Sequence, residues 1–336
     1  MKKLVLLATA LTMVSGSAFA ADLHVKALKA PPPAAFDPWD IAFGSAIMND
    51  YVFRGVTQSN HKPSVTAYFE PRYNVTKDLQ LYVGSSFESI SFTNRAAAEV
   101  DIYGGIRPTF GAFAFDLGIW GYLYPGGQCI ESFGGPGGAA VCPPGASSVL
   151  PSFNGMKKDV SFYEGYAKVN YTINDMWQVG ANEFYSPNFL NSGAWGNYAS
   201  ITGKFTAPSS TFGSSGVGMY ISGEFGRQWL GTSDSFYGTN VASPLGGGPF
   251  PNGVKYADYN TWNIGIGFTY KVFTLDLRYS DTNLSKADCN VFTSDFTASL
   301  TGAFTPTNPG GASSNWCGAT GIVKLSADLT AMTSLK

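Results

Sequence analysis

The stretch Val65-Thr66-Ala67-Tyr68-Phe69-Glu70-Pro71-Arg72-Tyr73-Asn74-Val75, followed by Thr76-Lys77-Asp78 and then Leu79-Gln80-Leu81-Tyr82-Val83-Gly84-Ser85-Ser86-Phe87-Glu88, decides the fold. Val65, Ala67, Phe69, Pro71, Tyr73 and Val75 alternate with Thr66, Tyr68, Glu70, Arg72 and Asn74. Leu79, Leu81, Val83 and Phe87 alternate with Gln80, Tyr82, Gly84 and Glu88 in the same way. Period-2 alternation puts apolar side chains on one face of a strand and polar ones on the other. Each run is about ten residues, the length a tilted strand needs to cross a bilayer. The short polar turn between them predicts an antiparallel hairpin.

The pattern repeats along the chain. Val100, Ile102 and Ile106 oppose Glu99, Asp101, Tyr103 and Arg107, and Phe113, Phe115, Leu117 and Ile119 oppose Ala114, Asp116, Gly118 and Trp120. Twelve strands are predicted, near 39–56, 64–75, 79–89, 98–108, 112–123, 160–172, 176–186, 195–206, 216–228, 257–270, 272–281 and 320–331. The connections after odd strands are mostly long, with the longest near 124–159, 229–256 and 282–319. Those after strands 2, 4, 6 and 10 are tight, at Thr76-Lys77-Asp78, Asn174-Asp175 and Lys271 among others, and the one after strand 8, around Ser209-Ser210, is intermediate. An even strand count with alternating long and short connections is the rhythm of an antiparallel transmembrane β-barrel, with short periplasmic turns and long outer loops. In such a barrel the apolar face meets lipid and the polar face lines the inside. Tyr73, Phe87, Tyr122 and Tyr171, near strand ends, suit the two interfacial aromatic girdles. The last strand, with Val323, Leu325, Ala327 and Leu329 alternating, departs from common barrels because no aromatic follows as the chain runs on to Lys336.

Composition agrees. Charged residues are 13% of the chain while aromatics reach 15% and glycines number 40. Soluble proteins average about 25% charged, and no apolar run after the first twenty residues approaches the ~20 of a transmembrane helix. Those first twenty residues carry Lys2 and Lys3, the apolar stretch Leu4 to Val14 and the small-x-small site Ala18-Phe19-Ala20, which predicts a signal peptide cut after Ala20. Residues 21–38, with Pro31-Pro32-Pro33, read as an extended periplasmic linker, and 39–336 as the barrel. Of 21 basic residues, 19 remain beyond Lys2 and Lys3 against 23 acidic ones. That balance lacks the basic face a nucleic-acid partner requires.

The four cysteines form two local groups, Cys129 with Cys142 and Cys289 with Cys317. Three connectivities are open, and in an oxidising compartment the two local disulfides are preferred because each lies within one loop segment. With no CxxC spacing and only two histidines, neither a zinc site nor any other metal or cofactor is expected.

One segment is more specific. Asp50-Tyr51-Val52-Phe53-Arg54-Gly55-Val56-Thr57-Gln58-Ser59, followed by Lys62-Pro63-Ser64-Val65, resembles the opening signature of the TorF-type porin family of proteobacterial outer-membrane proteins. The likeness covers roughly residues 41–90. It implies a cell-envelope barrel of a Gram-negative bacterium with a porin-like transport role, and it carries over no catalytic residues. If strand one runs on through residue 53, Asp50 and Arg54 share the inner face and Tyr51 and Phe53 face outward. Arg54 then reads either as a pore-mouth charge or as an anchor fixing the first loop.

The residues expected to line the inside are Arg54, Glu70, Arg72, Glu88, Glu99, Asp101, Arg107, Asp116, Glu164, Lys168, Lys204, Glu224, Asp276, Arg278 and Lys324. They would either line a water-filled channel for small polar solutes or pair across the barrel and fill it. Twelve strands lie between the packed eight and the open 16. Inward Gly84, Gly105 and Gly118 suggest free space. Expected partners are outer-membrane lipid and lipopolysaccharide, the barrel-assembly machinery and small polar solutes. An enzyme is not expected: His61 in the first loop has no nucleophile signature beside it, and GxSxG is missing. The Gly-rich run 134–138 and loop aromatics such as Phe133, Phe153, Trp229 and Phe236 fit flexible outer loops, with surface binding as a third reading.

Overall fold

The computed structural model describes residues 38–130, 142 and 155–334. The signal peptide, most of the proline-rich linker, the 134–138 run, Phe133 and Phe153 lie outside the described residues.

Twelve antiparallel strands close into one barrel. In chain order the strands are β1 (Trp39–Met48), β2 (Val52–Phe53), β3 (Val56–Thr57), β4 (Ser64–Thr76), β5 (Leu79–Glu88), β6 (Glu99–Phe110), β7 (Phe113–Leu123), β8 (Phe162–Thr172) and β9 (Trp177–Ser186). They continue as β10 (Gly196–Thr206), β11 (Val217–Leu230), β12 (Tyr259–Tyr270), β13 (Phe273–Thr282), β14 (Ser299–Leu300), β15 (Ala312–Ser313) and β16 (Thr320–Thr330). The wall consists of β1, β4 to β13 and β16, while β2–β3 and β14–β15 are small hairpins within long connections. The barrel closes between β1 and β16, with Phe43 opposite Leu329 and Ile47 opposite Leu325. The predicted last strand is therefore a full wall strand, paired on its other side with β13. Among the described residues no helix is long and apolar enough to cross a membrane.

The tight turns have local causes. Asn174 Oδ1 accepts from the backbone N–H groups of Met176 and Trp177 at 2.9 and 3.0 Å, folding the chain back before β9. Gly111, at φ +60°, turns β6 into β7. Cys129–Cys142 and Cys289–Cys317 are bonded, one in the connection after β7 and the other in the connection after β13. The second tethers α1 (Lys286–Thr293), which contains Cys289 and whose N-terminus is capped by Ser285 accepting from the Asp288 N–H.

The outside is aliphatic and aromatic: Ile102, Ile119, Ile201, Phe225, Ile264 and Val323 are each more than half exposed to the surroundings. In water such a belt would far exceed the apolar patches that monomers tolerate; in lipid it is the required surface. At the short-turn rim aromatics pair around the wall, with ring centroids 4.9 Å apart for Trp39–Tyr73, 4.7 Å for Phe113–Tyr171 and 4.9 Å for Trp177–Phe205. Tyr73 and Tyr171 hold the predicted girdle positions, and Phe87 faces outward at the other rim. Tyr122 does not: it is buried inside, stacked on Phe162 at 4.5 Å. Its inward parity with Asp116 and Trp120 decides its direction, and proximity to a strand end does not override it.

The inward glycines also differ from expectation. Gly84 sits directly opposite Tyr103, and Gly118 opposite Tyr166. A Cβ at either glycine would overlap the tyrosine ring, and one at Gly105 would collide with the Leu117 carbonyl and meet the Tyr82 hydroxyl. These glycines are seats for neighbouring tyrosines, so the space beside them is occupied. The same seating recurs for Gly44 under Tyr68, Gly226 under Tyr198 and Gly267 under Tyr220.

Candidate functional site

Strand one stops at Met48, eight residues before its predicted end, because the chain reverses at Arg54 and Gly55. Both have positive φ, +49° and +78°. Val52 pairs with Thr57 and Phe53 with Val56 in a minimal hairpin. Gly55 abuts β12 and β13: a Cβ there would lie 2.8 Å from Thr261 Oγ1 and 2.9 Å from Thr282 Cβ. Only glycine combines that backbone with that approach. The hairpin thus turns into the barrel, and Tyr51 and Phe53 go with it. Tyr51 is buried and donates to Glu99 at 2.7 Å, and Phe53 packs edge-on to Tyr122 at 5.9 Å. The outward placement expected for these two fails because strand parity does not extend past Met48.

Arg54 is carried to the far wall. Its Nη1 and Nη2 donate to Glu164 Oε1 and Oε2 at 2.9 and 2.7 Å, and Nη1 also donates to Gln228 Oε1 at 3.0 Å. Tyr122 donates to the same Glu164 at 3.2 Å. Aromatic faces surround the guanidinium, with Tyr198 at 4.4 Å, Phe53 at 4.5 Å and Phe184 at 4.9 Å. Arg54 is 9% exposed and Glu164 0%. A bidentate guanidinium–carboxylate pair, buried and stacked, is the strong geometry for this kind of contact.

The remaining expected interior residues fall into three groups. Arg107 donates to both oxygens of Glu70, at 2.7 and 3.2 Å, and to Asp116 at 3.3 Å; Arg72 joins Glu70 at 2.6 Å, and Tyr82 donates to Asp116. Lys168 lies beside this group, its Nζ 4.6 Å from the Tyr166 ring centre. On the opposite wall Arg278 holds Asp276 at 3.0 Å, Ser222 at 2.9 Å and Asn263 at 2.5 Å. Glu224 accepts from Tyr198 at 2.9 Å, Lys204 faces the Tyr220 ring at 4.8 Å, and Lys324 stands opposite Asp276. Glu88, Glu99 and Asp101 form the third group, where β5 and β6 meet the loops.

His61 belongs to a clasp between the first and last loops that its sequence context did not signal. Its Nδ1 lies 2.7 Å from Asp50 and its Nε2 2.9 Å from the Asn315 carbonyl oxygen. Two acceptors on two ring nitrogens fit the imidazolium. Partial burial pulls the ring's pKa down, but the Asn315 carbonyl and the Asp50 carboxylate outweigh it and hold the pKa above its ordinary value. Thr57 and Ser59 also donate to Asp50, so one carboxylate gathers the base of the hairpin.

Above the hairpin lies a recess of about 750 Å³, its open mouth included, lined by Phe53, Phe92, Phe162, Phe189, Tyr256 and Trp316 among others. Phe162 opens β8 and Phe53 belongs to the β2–β3 hairpin, while Phe92, Phe189, Tyr256 and Trp316 come from four separate long connections, whose aromatics carry no periodic signal in the sequence.

A closed barrel with an apolar exterior, a polar interior and its long loops at one end has one solvent that suits it. The protein is a bacterial outer-membrane β-barrel. Residues 33–133 match Gcw_chp, a family described as bacterial protein of unknown function. That span includes the β2–β3 hairpin and β1 to β7. Among curated proteins none matches the sequence. Similar solved structures include an outer membrane channel from Pseudomonas putida F1, with 10% identity, 90% of this chain and 100% of that chain covered, and a TM-score of 0.40. LpxR from Salmonella typhimurium has 10% identity, with 86% and 99% covered and a TM-score of 0.37. A loop-deleted OmpT, an outer membrane protein of Vibrio cholerae, has 11% identity, with 88% and 100% covered and a TM-score of 0.34.

Proposed function

We propose that the protein is a porin-type barrel held closed at rest by its own first loop, through which small polar solutes pass only when the hairpin leaves the lumen. The observation that carries this reading is the Arg54–Glu164 pair, which ties the hairpin to the opposite wall with both partners withdrawn from water. A water-filled passage would leave its charged lining accessible, whereas Glu70, Arg107, Asp116 and Lys168 are buried. Arg54 acts here as the anchor and not as a pore-mouth charge. The resemblance of residues 50–65 to the TorF-type porin family falls on this same hairpin and is consistent with a gated porin scaffold. Export after cleavage behind Ala20, a tether over 21–38, insertion by the barrel-assembly machinery and lipopolysaccharide around the loop-side rim complete the reading.

A liposome-swelling assay tests it. Vesicles carrying the wild-type protein should swell no faster than empty ones in small sugars. The Arg54→Ala protein should admit them, and equal swelling by both proteins would refute the gate.

A further inference from the structure

Four of the interior carboxylates already described hold an arginine: Glu164 has Arg54, Glu70 and Asp116 share Arg107, and Asp276 has Arg278. The group formed by Glu88, Glu99 and Asp101 is built differently. Glu88 ends β5 directly opposite Glu99, which begins β6, and Asp101 follows on the same inward face opposite Ser86. One oxygen from each of the three lies within 4.8 Å of the others. The residues are 3%, 2% and 2% exposed.

Their hydrogen bonds come from neutral hydroxyl groups. Glu99 accepts from Tyr51 at 2.7 Å and Tyr124 at 2.9 Å, Glu88 Oε1 from Thr66 at 2.9 Å, and Asp101 Oδ2 from Ser86 at 3.1 Å. Glu88 Oε2 and Asp101 Oδ1 are buried with no hydrogen-bond partner. The Trp120 indole N–H is Asp101's other polar neighbour and is itself without a hydrogen-bond partner, while Lys324 acts on Glu88 through space. Three converging carboxylates with two orphaned oxygens are costly to bury. That cost falls if a cation sits between them.

We propose that Glu88, Glu99 and Asp101 form a binding site for a divalent cation of the calcium type, which locks the outer ends of β5 and β6 to the first-loop residue Tyr51. All the donors are oxygens, with no imidazole or thiolate, so a hard cation is selected. Two oxygens on one Ca²⁺, bound at about 2.3–2.6 Å each, lie at most about 5.2 Å apart; on Mg²⁺ they lie at most about 4.2 Å apart. The three donor atoms all lie within 4.8 Å of one another, inside the Ca²⁺ limit, and a flexible oxygen set of this kind is the usual Ca²⁺ arrangement.

The test uses full-length refolded protein, washed with chelator and equilibrated with radioactive Ca²⁺ alone. A single Ca²⁺ per chain should remain bound, with Mg²⁺ competing poorly. Asp101→Asn should weaken the binding at least about tenfold while keeping heat-modifiable gel migration. Should that variant fail to fold, the wild-type protein still decides: Tb³⁺ should give emission excited through the adjacent tyrosines and Trp120, and Ca²⁺ should displace it. Absence of retained Ca²⁺ from the wild-type protein, unchanged binding in the variant, or equal competition by Mg²⁺ would each overturn the proposal.

Discussion

Arg54 and Glu164 are 110 residues apart in sequence and meet inside the barrel through two parallel N–H···O bonds of 2.9 and 2.7 Å. One partner sits on a two-stranded hairpin in a loop and the other on the far wall, so the pair measures whether the plug is seated. Removing one partner leaves an uncompensated buried charge, which costs about 3–5 kcal/mol. Arg54→Ala and Glu164→Ala should each lower stability by that order in urea unfolding. Arg54→Met combined with Glu164→Leu should lose much less than the two single losses together. Equal and additive losses would mean that the pair does not act as a unit.

Glycine seats make a second prediction. Tyr103 is held between Gly84 and the Trp120 ring, stacked on it at 3.9 Å, so it has little room to move. Gly84→Ala should destabilise the barrel by about 1–3 kcal/mol through overpacking. Gly203→Ala, on the outward face where a Cβ meets nothing within 4 Å, should be near neutral and serves as the control. Comparing the two urea midpoints tests whether inward glycines are space or seats.

The outward face provides a third. Ile264 is 58% exposed and faces away from the interior at mid-strand in β12. Facing lipid near the bilayer midplane, Ile264→Arg should cost about 2–4 kcal/mol or block insertion. On a water-facing surface the same change would stay within about 0.5 kcal/mol. Unfolding in lipid vesicles distinguishes the two.

The clasp between the first and last loops should respond to pH. Because the fold raises the pKa of His61, its contribution is complete below the ordinary value of about 6.5 and is lost as pH rises through the raised value. Hydrogen exchange in residues 312–317 should quicken over that interval in the wild-type protein. His61→Gln should remove the dependence; an unaltered profile would count against the clasp.

The wall was legible in the sequence because lipid on one side and a polar interior on the other impose strict alternation. Strand parity alone turned Glu70, Arg107, Asp116 and Glu164 inward. The plug was not legible. Its reversal depends on positive φ at Arg54 and Gly55, and continuing the β1 alternation through it sent Tyr51 and Phe53 to the wrong side. Partner choice was also hidden, since Gly84 reads as empty space until the register places Tyr103 opposite it. Nor could spacing join Asp50, His61 and Asn315, which meet only after the barrel closes β16 against β1.

The most direct measurement of the central claim is single-channel recording of the wild-type protein beside a variant whose residues 50–61 are replaced by a short Gly/Ser linker. The plugged barrel predicts a silent wild type and discrete, steady conductance in the variant. Steady openings of the same size in both proteins would contradict the account.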